Sequence, residues 1–221
     1  VSVLIDGERI TRTALERGDN RILLFRNLDP ASKKHIRITK DVQSMPDDNG
    51  HFLVFKSLEI EGNIEKPAEK SRKIEFIGDS ITSGEGILGA KDFMDWVPLC
   101  FDSVFNYSNL IAKNLDADFR VISQSGWGVG CGWNNDPTCT LPRIYEQTCG
   151  TCNALKDRFD SLSKNDFASW QPDLIVVNLG TNDCGSLSQP EFTVEATGER
   201  FKNSKNPDGS IEELTSKRFE N

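Results

Sequence analysis

Polar and apolar residues alternate at period two along His35-Ile36-Arg37-Ile38-Thr39 and again along Ser57-Leu58-Glu59-Ile60-Glu61, as strands with one buried face do. Val1 to Ile5 reads as another strand already in progress, and Asp47-Asp48-Asn49-Gly50 as a turn between strands. No helical period is visible in this stretch, so residues 1–61 are predicted to form part of a β-sandwich. Residues 62–73 are polar, contain Pro67 and carry no apolar period, which makes them a linker. The pattern then changes. Ile74 to Ile77 is a short strand running into Gly78, and Phe119 to Ile122 is a second. Asp173 to Leu179 is a third, apolar on both faces in its middle as a central parallel strand requires. Between the first two, Asn106 to Leu115 reads as a helix capped by Asn106, with Tyr107, Leu110, Ile111 and Leu115 on one face. Strands alternating with helices over 74–221 predict a three-layer α/β/α domain with a parallel sheet. The turn-rich run 203–210 is a predicted surface excursion.

Composition narrows the function classes. A net charge of -8 and a pI near 4.9 argue against a nucleic-acid partner, which needs a basic face. The longest apolar run, Leu174 to Val177, has strand length, far short of the roughly 20 residues that cross a bilayer. All six cysteines, Cys100, Cys131, Cys139, Cys149, Cys152 and Cys184, fall in the later part of the chain and mostly in loop-like sequence. An even number there fits disulfides and an oxidising compartment, with the pairing left open. Cys149-x-x-Cys152 is half of a zinc site at most, because no second pair at matching spacing exists and neither histidine is near. No metal is expected. The start at Val1, inside a strand, suggests that the sequence begins within a longer protein.

Each of the three later strands ends in a polar or glycine turn: Gly78-Asp79-Ser80, Ser125-Gly126 and Gly180-Thr181-Asn182-Asp183. Open α/β sheets bind ligands beyond the carboxyl ends of their strands. A hydroxyl, a bare backbone amide and a side-chain amide meeting there are the parts needed for acyl transfer, in which a serine attacks a carbonyl and fixed donors hold the oxyanion. Any one of these turns alone is commonplace; three in order after buried-type strands are not.

The segments Ile74–Gly86, Ser123-Gln124-Ser125-Gly126-Trp127-Gly128 and Val177–Asp183 resemble, in order, the three first conserved blocks of the SGNH (GDSL) hydrolases. The resemblance implies a flavodoxin-like sheet and a serine esterase without cofactor. In it Ser80 is the nucleophile, and the oxyanion hole is made by the amide of Ser80, the amide of Gly126 and the side chain of Asn182. Gly128 is the alternative middle donor. Asp79 shapes the turn and caps the next helix. A β-sandwich (jelly-roll-like) ahead of a domain with a Ser-Gly-Trp-Gly turn further resembles the family-two carbohydrate esterases, which implies an extracellular enzyme that removes acetyl groups from polysaccharide or oligosaccharide. Trp127 could then stack on a sugar ring or pack beneath its loop, and packing is favoured for Trp133. Trp96 and Trp170 are expected in the core.

A serine nucleophile needs a base. The family takes it from a final block, often Asp-x-x-His, which this sequence does not reach; a truncated sheet with an unpaired edge and exposed apolar surface is therefore expected. His35 and His51 lie ahead of the nucleophile and are explained by a strand and a turn. A non-catalytic glycan-binding relative, or an esterase or lipase acting on short acyl esters other than carbohydrate, are the alternatives; no apolar lid supports a lipase.

Overall fold

A computed structural model describes residues 1–221 except 46–47, 49–50, 93–94, 152–155 and 218–221. The predicted turn at 47–50 lies, apart from Asp48, outside the described residues. Near the N-terminus, β1 (Ser2–Ile5), β2 (Glu8–Arg12) and β3 (Ile36–Thr39) form an antiparallel sheet in the order β2-β1-β3. Asp6 and Gly7, both at positive φ, make the β1–β2 turn. β3 falls on the first alternating segment of the sequence. The second, Ser57–Glu61, is not a strand: it has no ladder partner, and Leu58 and Ile60 are exposed. Period-two alternation specifies a strand only where another strand pairs with it.

The second sheet is parallel, in the order β5-β4-β6, from β4 (Arg72–Gly78), β5 (Ala117–Ser123) and β6 (Leu174–Asn178). β4 begins inside the predicted linker and is the central strand. The sequence had assigned that place to β6, because its residues are apolar throughout. Among the described residues β6 is instead the unpaired, apolar sheet edge that the sequence also led one to expect, with Leu174, Ile175 and Val177 exposed at 50%, 48% and 62%. Ile74, Phe76 and Ala117 form the core beneath this sheet, and Phe76 meets Tyr107 and Phe119 edge-on at 5.7 and 6.3 Å.

The helices are α1 (Ser80–Ser83), α2 (Tyr107–Asn114), α3 (Leu141–Tyr145), α4 (Lys156–Phe159), α5 (Thr181–Ser186) and α6 (Glu213–Lys217); a two-residue hairpin, β7 (Phe192–Thr193) with β8 (Arg200–Phe201), precedes α6. α2 occupies its predicted span but buries another face: Ser108, Asn109 and Ala112 are inside, while Leu110, Ile111 and Leu115 are exposed. Asn109 can be buried because its amide donates to Val104 O at 2.6 Å and its oxygen accepts from Arg37 at 2.8 Å. Asn106 stands at the N-cap position without capping; its side-chain amide donates to Thr82 O. Residues 206–210 do form an exposed turn, but Asn203 is fully buried, donating to Cys131 Sγ and Ser186 Oγ at 3.0 Å each.

Polar contacts join the two sheets. Arg9 pairs with the buried Asp102, and Arg12 donates to Leu99 O and Phe101 O at 2.9 and 2.6 Å. Asp41, also buried, accepts from Ser2 Oγ at 2.8 Å and Ser103 Oγ at 2.9 Å. No disulfide joins two of the five described cysteines to one another, so the disulfide expectation is not met among them; Cys152 is outside the described residues. Among the described residues no helix is long and apolar enough to cross a membrane.

Candidate active site

Ladder register brings the three strand ends level: Gly78 pairs with Ser123 on one side and with Asn178 on the other. The three turns singled out in the sequence therefore leave the sheet side by side. Asp79 caps α1, its Oδ1 accepting the Ile81 N–H at 3.0 Å. It is 1% exposed, and burial pushes its carboxyl above the ordinary range, with the nearby Asp183 adding to the effect. Ser80 opens α1 and is half-buried. The helix is pinned around it: Ser83 Oγ donates to Ser123 Oγ at 2.8 Å, and Thr82 Oγ1 lies 2.8 Å from Tyr107 Oη. Gly84, at φ +84°, ends the helix where a Cβ would meet Asp102 O at 2.4 Å.

Ser80 faces a shallow hollow of about 200 Å³ bordered by Glu85, Asp95, Val97 and Cys100. A larger hollow of about 280 Å³, lined by Arg143, Glu146 and Lys164, contains none of the three predicted oxyanion residues. Among the described residues, Ser80 Oγ has no hydrogen-bond partner and no acceptor takes the N–H of Ser80 or of Gly126. Gly126 has φ +78°, and its carbonyl accepts from Trp133 N at 2.9 Å. The alternative donor Gly128 is committed elsewhere: it is buried, and its N–H donates to Cys139 O at 3.3 Å.

Asn182 ties the third turn to the other two. Its side-chain amide donates to Trp127 O at 2.8 Å and to Asp79 Oδ2 at 3.4 Å, so one N–H is firmly held and the other only loosely. Gln124 N donates to Gly78 O at 3.2 Å, joining the second turn to the first. Gln124 and Ser125 also meet the N-terminal region: Gln124 Nε2 donates to Ser44 O at 3.1 Å, and Ser125 N donates to Gln43 Oε1 at 3.2 Å.

The tryptophans differ from expectation. Trp127 is 3% exposed, packed with Leu141 and Ile144 and covered by the Arg143 guanidinium at 5.5 Å, so its ring offers no face to a sugar. Trp133 is 53% exposed, and a Cβ on Gly126 would lie 3.0 Å from its Cδ1. The two indoles share one loop; which of them goes inside is decided by α3, whose Leu141 and Ile144 form the other half of the cluster. Trp96 is 40% exposed and not in the core, and Trp170 is half-buried under the Arg120 guanidinium. Behind Trp127, burial and then Asp136 push the Cys139 thiol up to about 12.

Neither histidine touches Ser80. His35 is exposed, its backbone bonded to Asp6. His51 Nδ1 is 3.5 Å from Asp48 Oδ2, and burial, with Lys40 adding, holds its pKa below the ordinary imidazole value.

Residues 76–216 match the family model for the GDSL-like Lipase/Acylhydrolase family. An acetyl xylan esterase from the rumen bacterium Butyrivibrio proteoclasticus superposes with a TM-score of 0.93 at 41% identity, over 99% of this chain and 59% of its own. An acetylxylan esterase / glucomannan deacetylase of Cellvibrio japonicus is 30% identical over 190 residues, 83% of this chain and 48% of its own length. A cellulase/esterase of Acetivibrio thermocellus is 34% identical over 118 residues, 53% of this chain and 13% of its own. The chain thus spans about half the length, or less, of the curated relatives it matches.

Proposed function

The chain belongs to the GDSL-like lipase/acylhydrolase family, and on that premise we propose that the protein is an extracellular serine esterase that removes acetyl groups from polysaccharide or oligosaccharide through an acyl-Ser80 intermediate. The observation that carries this reading is that the turns bearing Ser80, with its unengaged hydroxyl, Gly126, with its open N–H, and Asn182 leave the sheet from three level strand ends. Ser80 Oγ attacks the acetyl carbonyl, and the charge that develops on the carbonyl oxygen is met by the N–H groups of Ser80 and Gly126. Asn182 adds the N–H now held loosely by Asp79; releasing a 3.4 Å contact costs little. A base carries the Ser80 proton to the departing sugar oxygen as the ester C–O bond breaks, and water then cleaves the acyl-serine by the same route in reverse. By the family resemblance that base is a histidine other than His35 or His51, neither of which contacts Ser80.

Substrate class is inferred from the relatives named above and from Trp133, whose exposed indole beside Gly126 is the aromatic surface a sugar ring would meet. The acidic balance of the chain is neutral toward an uncharged polysaccharide. A second reading is a glycan binder that uses the cleft without turnover; the presence together of Ser80, Gly126 and Asn182 favours the esterase over it.

Acetate release from acetylated xylan, acetylated glucomannan and 4-nitrophenyl acetate by the full-length protein separates the two. The esterase turns over all three and loses that turnover in Ser80→Ala. Near wild-type turnover in Ser80→Ala would remove the nucleophile assignment, and binding without acetate release would establish the second reading.

A further inference from the structure

Asp183 follows Asn182 in the first turn of α5 and is 3% exposed. Among the described residues no cation pairs with its carboxylate. It accepts the Val129 N–H through both oxygens at 2.9 and 3.1 Å, the Gly130 N–H at 2.8 Å and the Cys131 N–H at 3.3 Å. Consecutive backbone amides converging on one anion form a nest, here filled by the chain's own side chain. A buried carboxylate without a cation is tolerated only when hydrogen bonds replace its lost water, so the carboxylate and the concave path of Val129–Cys131 hold each other in place. The fit leaves no spare room: a Cβ on Gly128 would lie 2.4 Å from Asp183 Oδ2.

Asn182 grips the same segment one step earlier, at Trp127 O. Adjacent residues of α5 therefore hold both ends of Trp127–Cys131, and Gly126 enters this segment directly. We propose that Asp183 is a positioning residue of the oxyanion hole: its carboxylate fixes the strap that decides where the Gly126 N–H and the Asn182 amide point. The proposal rests on the roles given above to Ser80, Gly126 and Asn182. Asp183 itself transfers no proton and touches no substrate. Oδ1 accepts all three N–H groups while Oδ2 faces that of Val129 alone, so asparagine would set an NH₂ group against the Val129 N–H and leave Oδ1 a weaker, uncharged acceptor for the rest.

Asp183→Asn in the full-length protein tests this. Expected is a fall in kcat for acetate release of about 10²-fold, with KM changed by no more than about twofold, because the displaced donors serve the transition state. In the same variant the amides of Val129, Gly130 and Cys131 exchange with deuterium about tenfold faster or more. Gly128→Ala, whose Cβ would press both on Asp183 Oδ2 and on the Cys131 carbonyl of the same strap, gives a comparable loss in kcat, and the double variant loses little beyond either single one. A kcat within about twofold of wild type, a loss confined to KM, or additive losses in the double variant overturn the proposal. Should Asp183→Asn not fold, the kcat and exchange of Gly128→Ala decide the matter alone. Absence of ester hydrolysis in the wild-type protein would sink the functional reading instead, and unchanged exchange at 129–131 would still overturn the positioning role.

Discussion

Gly78 occupies a place where a side chain has no room: a Cβ there would lie 1.9 Å from Thr82 Oγ1 and 2.8 Å from Asn178 O. Neither neighbour can give way freely, since Thr82 is tied to Tyr107 and the Asn178 carbonyl belongs to β6. Gly78→Ala is expected to destabilise the protein by about 1–3 kcal/mol through overpacking, read as a lower midpoint in urea unfolding with an unchanged slope. The turns that carry Ser80, Gly126 and Asn182 were legible because each follows a strand, and the ends of neighbouring parallel strands lie side by side. Trp127 and Trp133 could not be sorted, as their loop offers two similar rings and only the packing of α3 selects one. The role of Asp183 was equally hidden, since its amide partners lie more than fifty residues earlier in the chain.

The three parallel strands stood where their apolar runs lay, but a hydrophobic pattern does not say which strands are neighbours: among the described residues β4, not β6, has a partner on both sides. α2 shows the same limit, because its buried face is built from small residues and satisfied polar groups that a hydrophobic stripe does not mark. The contact between the β2 strand and the loop before α2 depends on Arg9, which pairs with the fully buried Asp102 and stacks on Phe105 at 4.5 Å. For Asp102, burial works to raise the carboxyl pKa, but the Arg9 hydrogen bond and the N–H groups of Phe105 and Val104 outweigh it and leave the pKa below the ordinary value. A lowered pKa in the folded state means that this stabilisation is present above the ordinary carboxylate range and disappears as pH falls through the folded value. Arg9→Met strands the carboxylate and is expected to cost about 3–5 kcal/mol at neutral pH. The difference from wild type should shrink in acid, where Asp102 becomes neutral in both; a pH-independent difference in urea unfolding would contradict this account.

At the scale of the whole molecule, the N-terminal sheet is not an appendage. Arg9, Arg12, Arg37, Asp41, Gln43 and Ser44 all hydrogen-bond into the α/β part, and two of them reach the turn that carries Gly126. All four tryptophans lie between positions 96 and 170, so indole fluorescence reports the α/β part alone. Breaking buried polar ties is costly on both sides, and the two parts are therefore expected to unfold together: fluorescence and far-ultraviolet dichroism should give coincident urea transitions. Separate midpoints would show that the sheets are energetically independent.

The thiol behind Trp127 adds a constraint in time. Burial and then Asp136 keep the Cys139 thiol protonated at neutral pH, and the thiolate is the species that attacks disulfides and alkylating reagents. Trp127, Leu141 and Ile144 pack against it and leave it only partly exposed, so it is expected to react slowly in the folded protein. Unfolding in urea removes that burial, and alkylation of Cys139 is expected to speed up as the protein unfolds.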